Sequence, residues 1–123
     1  MGAVSFDIPA ARFSDEQAPF LSARRVSEQL GLTLSELARL AGIARNTLTA
    51  KSSARKVDSA LSAIVRIIAM ASEMAGDEKR AVIWFKHQPI PGWAGKTAYD
   101  LVGEGKSDKV LAYLEAVRSG VYA

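Results

Sequence analysis

The sequence predicts an all-α fold, and three observations lead there. Apolar residues recur at three- and four-residue spacing along most of the 123 positions, as a helix with one buried stripe requires. No stretch alternates apolar and polar residues in β-branched company, which a half-buried strand would show. Glycines stand where the periodic runs stop, and Thr, Asp or Ser where they start, which is the order of helix termination and capping signals.

Residues 1–18 read as an irregular arm, with Pro9 within it and Pro19 after it as punctuation. A first helix is expected from about Pro19 to Leu30, with Phe20, Ala23, Val26 and Leu30 inward and Gly31 closing it in a left-handed conformation. Thr33 starts the next helix as N-cap, and Glu36 three residues on completes a capping box. Gly42 closes that helix, and a short one follows from about Arg45 to Ser52. The longest is expected from Val57 or Asp58 to Ala75, on the stripe Leu61, Ile64, Val65, Ile68, Ala71 and Ala75, with Gly76 ending it.

After Gly76 the texture changes. Asp77 caps a helix through Trp84 and Phe85 to about His87, and Pro89 stops it. Ile90 to Lys96 carries Pro91, Gly92 and Gly95 and reads as an irregular connection over Trp93. Thr97, with Asp100 three on, caps a single turn containing Tyr99, Leu101 and Val102. Gly103 and Gly105 then make a turn. Ser107 is expected to cap the last helix, whose stripe is Val110, Leu111, Leu114 and Val117 and whose end is Gly120. The organisation is therefore an arm (1–18), a first domain (19–76) and a second (77–123), with the long helix packing against both. Trp84, Trp93, Phe85 and Tyr99 are expected as packing anchors, the usual place of large aromatics in a small protein.

Composition excludes several classes of function. The chain has no cysteine and one histidine, His87, which removes disulfides, thiolate zinc sites, iron–sulfur clusters and cysteine nucleophiles. No glycine loop follows a strand to cradle phosphate, and no paired carboxylates suggest a cleft. His87 reads as a helix-end residue favoured by the dipole. No catalytic residue, metal ligand or cofactor is expected. The first ten residues lack a signal-peptide pattern, and no stretch reaches the roughly 20 apolar residues of a membrane span. The expectation is a soluble cytoplasmic protein with no membrane partner.

Charge placement is more informative than net charge. Up to Lys56 there are eight basic and five acidic residues, and after it eight of each, so the net +3 lies wholly in the first part. Between Arg39 and Lys56 stand five basic residues and no acidic one. Such a window attracts phosphate backbones or acidic surfaces. On charge alone, a solvated helix face explains it equally well.

The spacing around the window adds the second signal. Ala38 is followed four residues later by Gly42 and six further on by Leu48, with Leu37, Ala41 and Ile43 in the other apolar slots. Two helices joined by a tight turn and crossing steeply need a small residue at the crossing, a turn residue free of side-chain penalty and one large apolar lock. Ala38, Gly42 and Leu48 supply these. The segment resembles the helix-turn-helix of Cro/Xre-type domains, whose second helix lies in the major groove. By that resemblance Arg45, Asn46, Thr47 and Thr49 face the bases, and Lys51, Ser52, Arg55 and Lys56 lie nearer the phosphates. Arg and Asn suit base edges, gripping guanine and adenine with two hydrogen bonds each. Lys51 stands where the family usually has an apolar residue, so this helix is expected to be short or turned outward at its end.

The order Trp84, Pro89, Gly95, Thr97, Asp100, Leu101, Gly105, Val110, Leu114 and Gly120 resembles the toxin-binding domain of Xre/MbcA/ParS-type antitoxins. Ala98 stands where that pattern usually has proline, a minor loss at a first helical turn. The resemblance implies a partner toxin with a RES domain, which consumes NAD or transfers ADP-ribose. It also implies a C-terminal domain covering that toxin's NAD cleft, and operator DNA as second partner, bound as a homodimer within a toxin–antitoxin hetero-oligomer. Arg118, Val121, Tyr122 and Ala123 are the expected toxin-blocking residues, although an end of this kind is also ordinary as a frayed tail. The competing reading is an Xre-like regulator whose second domain dimerises or senses a ligand.

Overall fold

Seven α-helices and one 3-10 turn make up the regular structure among residues 20–120, the part that the computed structural model describes. They are α1 (Ala23–Leu30), α2 (Leu34–Ala41), α3 (Arg45–Thr49), the 3-10 turn (Lys51–Ser53), α4 (Ala54–Ala75), α5 (Glu78–His87), α6 (Ala98–Gly103) and α7 (Ser107–Arg118). No strand occurs among the described residues; Pro89 and Thr97 form an isolated antiparallel bridge. The chain divides into two compact units, Met1–Arg66 and Ile67–Ala123, and the division falls inside α4.

The first unit buries Val26 and Leu30 of α1, Leu37, Ala38 and Leu40 of α2, Leu48 of α3, and Val57, Leu61 and Ile64 of α4. Helix α1 begins at Ala23, later than Pro19, because Ser22 is extended and its hydroxyl accepts a hydrogen bond from the Arg25 amide. One residue earlier the Leu21 amide donates to Asp58 Oδ1 at 2.8 Å, which holds this stretch outside the helix. Phe20 therefore precedes α1 and is half-buried. Helix α3 ends at Thr49, short of Ser52, because Ala50 turns extended (φ −77, ψ 128). Helix α4 starts three residues before Val57. Ala54, Arg55 and Lys56 are good helix formers that carry no apolar stripe, so periodicity alone places the start too late.

The second unit is built on Ile67, Ile68, Met70 and Ala71 of α4, Ala81 and Phe85 of α5, Ile90, the Ala98–Leu101–Val102 side of α6, and Val110 and Leu114 of α7. Phe85 meets Tyr99 edge-to-face, ring centroids 5.9 Å apart. Of the four expected anchors Phe85 is fully buried, whereas Trp84, Trp93 and Tyr99 are half-buried. The connection before α6 is tight: the Ile90 amide donates to the Lys96 carbonyl at 2.8 Å and the Lys96 amide to the Trp93 carbonyl at 3.0 Å. Its tip puts Ala94 at φ 53, a left-handed position that costs a non-glycine residue about 1–2 kcal/mol. Glu104 ties this connection down, taking Lys96 Nζ at 2.8 Å and Lys106 Nζ at 3.3 Å. Lys106 also lies 5.6 Å from the Trp93 ring centre. That residue, and not Ser107, occupies the cap position of α7, with no side-chain cap bond. Ser107 is already the first helical residue.

Candidate functional site

The α2–α3 corner forms from local chemistry. The Thr33 hydroxyl accepts the Glu36 amide at 3.0 Å and Glu36 Oε1 accepts the Thr33 amide at 2.8 Å, a complete capping box. At the other end Gly42 sits at φ 74, and the Ile43 amide donates back to the Ala38 carbonyl at 3.0 Å. A left-handed residue here lets α2 stop and the chain turn within Gly42–Ala44 before α3 begins. Ala38 and Leu48 are both buried, so the small crossing residue and the apolar lock are where the spacing places them.

That arrangement turns the polar side of α3 outward. Arg45, Asn46 and Thr49 are exposed and Thr47 is half-buried. Residues i and i+4 share a helix face, which puts Arg45 and Thr49 on one edge with Asn46 beside them. Beyond α3, Lys51 and Ser52 lie exposed on the 3-10 turn, and Arg55 and Lys56 lie exposed on the first turn of α4. The eight residues thus fall within one stretch, 45–56, that holds no acidic side chain. Lys51 faces solvent because α3 has already ended.

In the second unit Arg118, the last residue of α7, hydrogen-bonds Glu115 and lies 3.9 Å from Glu73 of α4. The Glu115 carboxylate holds the guanidinium's pKa above its ordinary value, with a smaller contribution from Glu73. Val121, Tyr122 and Ala123 lie outside the described residues. Beside Arg118 is an apolar cleft of about 200 Å³, lined by Ala71, Met74, Trp84, Tyr113, Leu114 and Val117 together with Ala75. Sequence reasoning missed this cleft, and it missed both acidic partners of Arg118. The available signal was the run Val82–Ile83–Trp84–Phe85, which is too apolar for one face of a helix. Among the described residues no group of three or more potential metal ligands occurs, and among them no single helix is long and apolar enough to cross a membrane.

A helix-turn-helix with an exposed polar second helix and basic residues just beyond it, followed by a separate helical unit with an open apolar cleft, has the make-up of a DNA-binding protein with an attached binding module. Family models make the class specific. The antitoxin Xre-like helix-turn-helix domain matches residues 9–65, and the antitoxin Xre/MbcA/ParS C-terminal toxin-binding domain matches residues 70–120. The chain belongs to the Xre/MbcA/ParS-type antitoxins, which join a DNA-binding helix-turn-helix to a domain that binds a toxin. Neither the curated proteins nor the solved structures contain a match.

Proposed function

We propose that this chain is the antitoxin of a type II system whose toxin carries a RES domain that degrades NAD or transfers ADP-ribose. It neutralises that toxin by covering the NAD cleft, and it represses its own promoter as a homodimer. It acts by occupancy and performs no reaction. The tandem match to both halves of one antitoxin family is the observation that carries the reading. Arg45, Asn46, Thr47 and Thr49 are assigned to base edges, and Lys51, Ser52, Arg55 and Lys56 to phosphates. Their exposure, Thr47 only in part, supports the assignment.

Arg118, Val121, Tyr122 and Ala123 are assigned to the toxin. Arg118 already shares its guanidinium with Glu115 and Glu73, so its first task is to set the end of α7. Blocking the cleft then falls mainly to Val121, Tyr122 and Ala123. Co-expression with the adjacent reading frame, with size-exclusion and a growth assay, tests the proposal. The pair should co-elute and growth should recover. A chain lacking residues 121–123 should still fold yet protect poorly; full protection by that chain would refute the plug, and failure of the intact pair to associate would refute the antitoxin reading.

A further inference from the structure

We propose that the apolar cleft between the end of α4, α5 and α7 is the seat on the toxin-binding domain for one bulky aliphatic or aromatic side chain of the toxin. The inference rests on the antitoxin reading and deepens it by locating the docking surface. It begins with α5. Successive helical residues step by about 100°, so the four apolar residues from Val82 to Phe85 sweep some 300° of the circumference. One core cannot bury them all. Ala81 and Phe85, four apart, take the inward face and are fully buried. Ile83 is left 57% exposed, while the cleft wall takes the half-buried Trp84 and, from α4, Met74, which is 38% exposed.

Ile83 and Met74 are the exposed large apolar residues among the described part of the chain, and both fall within the region matched to the toxin-binding domain. Among the described residues of the helix-turn-helix unit no large apolar side chain is fully exposed, though Phe20, Leu21, Leu32, Leu34 and Ile43 are half-buried. The cleft has the composition of a binding hot spot, with Trp84 and Tyr113 in its wall. The charged rim of Glu73, Glu115 and Arg118 beside an apolar centre is the usual anatomy of a protein interface.

Size and continuity select the occupant. About 200 Å³ is below the roughly 300–1,000 Å³ of small-molecule pockets, and it suits one protruding side chain better than a nucleotide or metabolite. Val117 lines the cleft and directly precedes Arg118 on α7, the helix that leads into the residues assigned to the toxin's NAD site. The cleft therefore adjoins Arg118, itself assigned to the toxin.

The test uses the full chain and the purified toxin encoded beside it. Met74→Glu places a charge in the cleft wall from an exposed position, and Ala75→Phe fills the cleft from its half-buried wall. Each should weaken toxin binding in a titration at least ten-fold, with thermal unfolding close to that of the unaltered chain, and Met74→Leu should bind like the unaltered chain. Unaltered affinity in both variants, with the parent chain still binding, overturns the cleft proposal and leaves the antitoxin reading standing. No binding by the parent chain overturns both. If Met74→Glu changes only the self-association of the free chain in sedimentation, the seat belongs to a second copy and the proposal is wrong.

Discussion

The salt dependence of the proposed promoter binding follows from three side chains. Lys51, Arg55 and Lys56 are exposed on the 3-10 turn and the first turn of α4, and each is assigned one phosphate. Every phosphate neutralised adds about −0.9 to the slope of log affinity against log salt. One protomer with three such contacts gives a slope near −2.7, and two protomers on two half-sites near −5.4. Between 50 and 200 mM salt the first corresponds to about a 40-fold loss of affinity and the second to roughly 2,000-fold. Arg55→Ala with Lys56→Ala should flatten the slope by about 1.8 per bound protomer. Fluorescence anisotropy on a labelled duplex of the chain's own promoter, titrated at several salt concentrations, measures both. A slope shallower than about −1 in the unaltered chain, or no flattening in the double variant, would refute the assignment of this run to phosphates. The same slope also counts protomers, since the one- and two-protomer values differ by a factor of two.

Arg45→Ala with Asn46→Ala should abolish promoter retention in a gel shift while toxin binding stays intact; losing both together would point to unfolding instead. Leu48 is buried and locks α3 onto its neighbours. Leu48→Ala should therefore lower stability by about 2–5 kcal/mol in chemical denaturation, and a cost well under 1 kcal/mol would remove it from that role. The Glu104 carboxyl is held below its ordinary 4.5, first by the hydrogen bond from Lys96 and then by Lys106. A carboxyl with a depressed folded pKa contributes stability above its unfolded pKa and loses it as pH falls through the folded value. Glu104→Gln should accordingly make the melting temperature fall less steeply below about pH 4.5, and an unchanged acid limb would argue against the Lys96–Glu104–Lys106 tie.

Local determinants were the most legible part of the fold. The Thr33–Glu36 and Thr97–Asp100 boxes, the Asp77 cap and the left-handed Gly31 and Gly42 all depend on residues within one turn of each other, and the structure has each of them. The early end of α3 was foreshadowed by Lys51, a charged residue in an apolar slot. Contacts distant in sequence were not legible. The Leu21 amide on Asp58 shortens α1, and nothing near Leu21 announces it. The pairing of Arg118 with Glu73 was not visible because Glu73 lies far back on α4. Trp84 read as core because aromatic residues usually are, yet with Phe85 taking the inward position its neighbour cannot share that face.

Domain boundaries usually fall in exposed linkers, where a chain can be cut or joined at little cost. Here the division after Arg66, like the gap between the two family matches at residues 66–69, lies within α4. Cutting there would strand carbonyls on one fragment and amides on the other, each deprived of its partner one turn away. Either half retains native ends only if it carries the whole of Ala54–Ala75 with it. Exchange of DNA-binding and toxin-binding halves between related genes thus has its natural crossover at Gly76 or before Ala54, not at the compact units' own border.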